Sequence, residues 1–203
     1  MYTTILPIIA SLALRATAAP LSASPLDMSN GHIQLQLSID LSNQNAFDAN
    51  QLFSFTSTHS IHAVPEEVVN GTEPTGGLAG ASGTFAFGIN SAANMICYNI
   101  TLHNFQGEFD SPATTATHIH EAARGASGPP RIAFPNPEPI EGDAAVRNSV
   151  GCLRGPFATG IMVEGKDSGK GFHVGMIEKD PKAFMADTHS SLALPGAVRA
   201  QLA

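Results

Sequence analysis

The chain has no tryptophan, only two tyrosines and only two cysteines in 203 residues. It also has few windows of helical periodicity and no apolar run that reaches the ~20 residues needed to cross a bilayer, so neither a helical bundle nor a membrane-spanning chain fits it. Basic residues are scarce, ten against seventeen acidic ones, which argues against nucleic acid or an anionic membrane surface as partner. No Gly-x-Ser-x-Gly stretch occurs, so the nucleophile elbow of a Ser/His/Asp hydrolase is missing. In their place stand 19 glycines and 14 prolines spread among short Thr, Ile, Val and Phe runs, the composition of an all-β sandwich or barrel.

The first residues carry a short apolar core from Ile5 to Leu14, followed by the small-x-small pattern Ala16-Thr17-Ala18. This reads as a secretory signal peptide over residues 1–18, although its leading residues hold no Lys or Arg. Its removal takes Arg15 with it and leaves nine basic against seventeen acidic residues, a formal net charge of −8. Residues 19–30 are a Ser- and Pro-rich lead-in, and 31–203 are expected to form a single domain. The protein is therefore expected to be secreted, with no transmembrane segment.

Alternation of apolar and polar residues predicts strands at 32–39 and at 51–58, the latter with Phe53 and Phe55 inward. Further strands are expected at 82–89, 95–103, 157–163, 171–177 and 183–188. Between residues 124 and 151 lies a connection with five prolines in eleven positions and little periodicity, expected to be a long loop. The fold class that follows is an antiparallel β-sandwich with a long Pro- and Gly-rich loop. In an exported chain the two cysteines are expected to form one disulfide, Cys97 to Cys152, with Cys152 in a segment covering the outer face of the Cys97 strand. Two sequons, Asn70-Gly71-Thr72 and Asn99-Ile100-Thr101, mark Asn70 and Asn99 as glycosylation sites.

The stretch most suited to chemistry is Thr117-His118-Ile119-His120-Glu121. On a strand, side chains alternate between faces, so His118 and His120 stand side by side with Ile119 opposite. Two neutral imidazoles at that spacing can ligate one ion, and His is the commonest metal ligand. A polar outer strand face has the same pattern, and a metal site needs further ligands from elsewhere in the chain.

Three stretches together resemble the CHRD domain, the module named for chordin. They are Ser60-Ile61-His62-Ala63-Val64-Pro65 running on to Gly80 through Phe87, Ala116 through His120 with Gly128-Pro129, and Asp187-Thr188-His189 with Pro195 through Leu202. The family's usual Gly, Thr, Gly and Gly are replaced by Glu121, Ser190, Ala197 and Ala200. A second, shorter resemblance is to copper/zinc superoxide dismutases: His118-Ile119-His120-Glu121 is similar to their copper-ligand strand. His189 and Arg199 are similar to their last copper histidine and active-site arginine, and the shared β-sandwich implies a Greek-key or superoxide-dismutase-like topology. Residues 124–152 contain no His for a bridging ligand or a zinc half-site, which argues against a full copper/zinc enzyme.

Two functions are therefore expected to compete. One is a non-enzymatic secreted module that binds an extracellular protein or glycan. The other is a copper or zinc site, copper ahead of zinc, made by His118, His120 and His189 with His173 as a fourth or substitute ligand. Its catalytic version would be a copper-dependent oxidoreductase in which Arg199 orients a small anion.

Overall fold

A computed structural model describes residues 54–203. The signal peptide, the lead-in and the strand expected at 32–39 lie outside the described residues, as does Phe53. Of the described residues 54–58 in the strand expected at 51–58, only Ser57 and Thr58 belong to a strand. The first strand, β1, is Ser57–Ala63, and Phe55 is 41 % exposed rather than inward.

Thirteen strands follow one another among the described residues. After β1 come the two-residue strands β2 (Val69–Asn70) and β3 (Glu73–Pro74), which pair as a small hairpin. Strands β4 (Ser82–Asn90) and β5 (Met95–His103) form a nine-residue ladder joined by a short connection in which Asn94 takes the left-handed conformation. Then come β6 (Thr117–Glu121), β7 (Pro130–Phe134), β8 (Glu138–Ile140) and β9 (Asp143–Arg154). A small ribbon of β10 (Met162–Val163) and β11 (Lys166–Asp167) and a five-residue helix α1 (Gly175–Lys179) precede β12 (Phe184–Ser190) and β13 (Ala193–Gln201).

The long strands make two antiparallel sheets, ordered β1-β4-β5-β9-β8 and β13-β12-β6-β7. One core lies between them. Phe85, Phe87, Ile89, Ile96, Tyr98, Ile100 and Leu102 enter it from the first sheet, and Ile119, Ile132, Phe134, Phe184, Ala186 and Val198 from the second. Phe134 is fully buried and anchors the aromatic cluster, 5.5 Å from Phe87 and 4.9 Å from Tyr98 between ring centroids. Each such ring removed from water contributes roughly 1.5–3 kcal/mol, which is how a chain without tryptophan still fills its core.

Four expectations need correction. Of the strand expected at 157–163 only Met162–Val163 forms, as the short β10. The Pro-rich segment 124–151 is not a long loop: it supplies β7, β8 and most of β9. Pro130 opens β7 and Pro139 lies on β8, both edge strands, while Pro129, Pro135 and Pro137 stand in the connections, so none of the five interrupts an interior strand. Cys152 is therefore not on a covering segment. Cys97 and Cys152 face each other across the β5–β9 ladder and form the disulfide. Finally, residues 171–177 turn and enter α1 rather than forming a strand, because Gly171 at φ 78° breaks the extended run.

Candidate metal centre

Strand β6 is buried on both faces. Ile119 points into the core, so His118 and His120 point to the outer side of the second sheet, as their spacing requires. An outer face is ordinarily wet, yet His118 is 1 % and His120 8 % exposed. The covering comes from the segment after β6, which folds back over the sheet. Ala122 N–H donates to Ala183 O at 2.8 Å, Gln201 Nε2 donates to Ala122 O at 2.7 Å, and Arg199 donates to Ala123 O at 3.1 Å. At the end of that segment Gly128 is pressed so closely on β6 that a Cβ there would lie 2.0 Å from Glu121 O.

Strand β12 runs antiparallel beside β6 and places Asp187 opposite His118 and Met185 opposite His120. Two residues on, His189 shares the face of Asp187. The ligand atoms of His118, His120, Asp187 and His189 all lie within 4.8 Å of one another. Around the carboxylate, His118 Nδ1 is 3.6 Å and His120 Nε2 3.2 Å from Oδ1, and His189 Nε2 is 3.3 Å from Oδ2. Four ligands held tetrahedrally at about 2.0–2.1 Å from one zinc ion stand about 3.4 Å apart, so these spacings bracket what such an ion requires.

The other nitrogen of each ring is occupied by the backbone. His118 Nε2 donates to Thr115 O at 2.7 Å, His120 Nδ1 to Gly128 O at 2.8 Å and His189 Nδ1 to Leu194 O at 2.8 Å. A backbone carbonyl can only accept, so each ring must carry its proton on the outer nitrogen and present the inner one to Asp187. His118 Nδ1, His120 Nε2 and Asp187 Oδ1 are buried and have no hydrogen-bond partner. Buried polar atoms are seldom left so, and three of them aimed at one point are a donor set of the kind a cation satisfies.

Charge acts in the same direction. Burial alone would raise the Asp187 carboxyl, but the His120 and His189 rings outweigh it and hold the group well below the usual carboxylate range. Burial pushes His118 down and favours its neutral, ligating form. Burial would lower His189 too, yet the Asp187 charge overrides it and raises this ring to about 9. A proton on His189 thus balances Asp187 near neutral pH.

The structure brings together three of the histidines singled out in the sequence and leaves out the fourth. His173 is exposed and accepts a hydrogen bond from Gly175 N–H at 3.1 Å, at the start of α1. It moves away because its segment is not a strand. Arg199 stands opposite Asp187 across the β12–β13 ladder, but it is 3 % exposed and its guanidinium is turned to Ala123 O rather than to solvent. Asp187 was missed as a ligand, although Asp187-Thr188-His189 repeats the one-apart spacing of His118-Ile119-His120.

The model of the CHRD domain matches residues 60–202. The chain belongs to the CHRD domain family. All of the cluster and the strands that carry it fall within the matched part. No curated protein and no solved structure matches the chain, so the likeness of its His-x-His strand to that of the superoxide dismutases rests on the motif alone. Among the described residues no helix is long and apolar enough to cross a membrane.

Proposed function

We propose that this CHRD domain is an exported metal-binding module in which His118, His120, Asp187 and His189 hold one divalent transition-metal ion. The observation that carries the reading is the set of three buried, unpartnered ligand atoms, His118 Nδ1, His120 Nε2 and Asp187 Oδ1, around a single point. Three imidazoles and one carboxylate complete a four-coordinate shell, which suits tetrahedral zinc, and a closed shell serves binding or cross-linking of β6 to β12 better than turnover. The sequence put copper ahead of zinc through its resemblance to the superoxide dismutases, with three rings and an open position; Asp187 supplies a fourth ligand for that position. Copper(II) generally binds nitrogen and oxygen sites more tightly than zinc, so affinity alone does not identify the resident ion. Arg199, buried and engaged with Ala123 O, gives no support to anion steering or redox chemistry. The apolar leader, the disulfide and the acidic surface favour an extracellular setting and disfavour nucleic acid as partner.

The test is metal analysis of the protein purified from its secreting host, repeated on His120→Ala. One zinc or copper ion per chain is expected in the natural protein and less than a tenth of that in the variant, with folding unchanged by circular dichroism. Absence of metal from the natural protein together with no uptake of added zinc or copper in titration calorimetry would end the reading.

A further inference from the structure

The outer face of the first sheet carries an arrangement the metal centre does not explain. In antiparallel sandwiches the outward positions are ordinarily polar. Here the middle of the face is built from Ala86 and Gly88 on β4, Cys97 on β5, and Val150 and Cys152 on β9. These small residues floor a groove of about 470 Å³. The Phe55 ring walls one side, lying so flat on Gly88 that a Cβ there would sit 2.6 Å from it. Val150, 66 % exposed, stands on the other side.

Asn99 rises from this groove, flanked in register by Ala86 and Val150. It is exposed, and it begins the sequon Asn99-Ile100-Thr101. Its amide is also oriented: Asn148 Nδ2 donates to Asn99 Oδ1 at 2.8 Å and to Thr101 Oγ1 at 2.9 Å. With the oxygen fixed toward Asn148, Nδ2 is the outward atom, and a sugar bonded to it leaves that hydrogen bond intact. Asn70, by contrast, sits at the exposed end of the small β2–β3 hairpin, with exposed polar neighbours.

We infer that Asn99 bears an N-linked glycan whose innermost N-acetylglucosamine lies in this groove and covers it. A pyranose ring has an apolar C–H face that suits the Phe55 ring and Val150, while its hydroxyls and acetamido group face water. The occupant of the groove is then the chain's own covalent sugar, which also explains why a water-facing sheet tolerates an apolar patch at its centre. The Asn99 Nδ2–C1 bond forms before folding, when the strand is still accessible. The secretory host's lipid-pyrophosphate-linked oligosaccharide donates the glycan: its C1–O bond breaks, and the lipid pyrophosphate leaves and takes up the proton that Nδ2 loses. The folded sheet then seats the sugar. The inference rests on the exported route proposed above.

The full chain is to be expressed in a eukaryotic secretory host, once behind its own leader and once behind a foreign one. Secretion with the foreign leader alone would fault the export reading and leave this inference to be judged on the glycopeptides. Mass spectrometry of those peptides should find Asn99 occupied. An endoglycosidase that leaves one N-acetylglucosamine should keep binding of the dye anilinonaphthalene sulfonate low, whereas complete removal of the glycan from the folded protein should raise it severalfold. Asn99→Gln should behave like the fully stripped protein and Asn70→Gln like the natural one. Should Asn99→Gln fail to fold, the enzymatically treated natural protein decides. A bare Asn99 in the secreted protein, or equal dye binding by the intact, trimmed and stripped forms, overturns the inference.

Discussion

In the metal-free protein, the ion pair between His189 and Asp187 should make stability fall as pH rises, and Asp187→Asn should remove that dependence. The raised His189 value, from 6.5 to about 9, corresponds to roughly 3 kcal/mol at 1.36 kcal/mol per unit. That figure is an upper bound, because it belongs to the pair and is counted once. A group whose folded value is raised contributes fully below its unfolded value, here about 6.5, and loses the contribution as pH climbs through about 9. Asp187 has the opposite sign: its contribution is present above about 3.8 and lost as pH falls further. His118, held below 6.5 by burial, costs stability as pH falls beneath that value, so stability should be highest near pH 6.5, fall on the acid side, and decline by up to about 3 kcal/mol toward pH 10. In Asp187→Asn the carboxylate that raises His189 is gone and burial alone acts on the ring, so it should titrate below 6.5. The assay is urea denaturation of chelator-treated protein at pH 6 and pH 10, beside imidazole titration by NMR in both proteins. A His189 that titrates near 6.5 in the natural chain, or at the same pH in both, would refute the reasoning.

Gly128→Ala should lower stability by about 1–3 kcal/mol, since its Cβ would collide with Glu121 O and move the carbonyl that holds His120. Thermal unfolding measures it, and an unchanged midpoint would mean that the covering segment is not fixed where the structure has it. Replacing Cys97 and Cys152 together by Ser should cost about 4 kcal/mol, the chain-entropy value for a loop closed over 55 residues. Urea midpoints read this directly, and a loss under 1 kcal/mol would contradict it.

Much of the scaffold could be read from local pattern. The alternation in 95–103 is the β5 strand, 183–188 falls largely in β12, and the facing of His118 and His120 follows from two-residue periodicity once 117–121 is extended. The disulfide could be read as well, because only one pairing of two cysteines exists. The partner strand could not: pairing of β9 with β5 is a contact between residues some 50 apart, and the five prolines hid the strands between them. Asp187 was overlooked for a related reason. A lone carboxylate in sequence has no sign that it is buried, and its role depends on β12 lying against β6 in the register that sets it opposite His118. His173 failed as a ligand because its imidazole was assigned to a strand that a left-handed glycine had already ended. The sequence thus determined what alternates along each strand, the residue types offered to a metal and the sequons offered to a sugar, all of which depend on neighbours in the chain. Only the tertiary structure decided that an outer sheet face is buried under residues 122–129, that backbone carbonyls from three separate segments fix which nitrogen of each ring is free, and that one carboxylate stands among them. Those are properties of contacts between distant segments, and they exist only when the sandwich has closed.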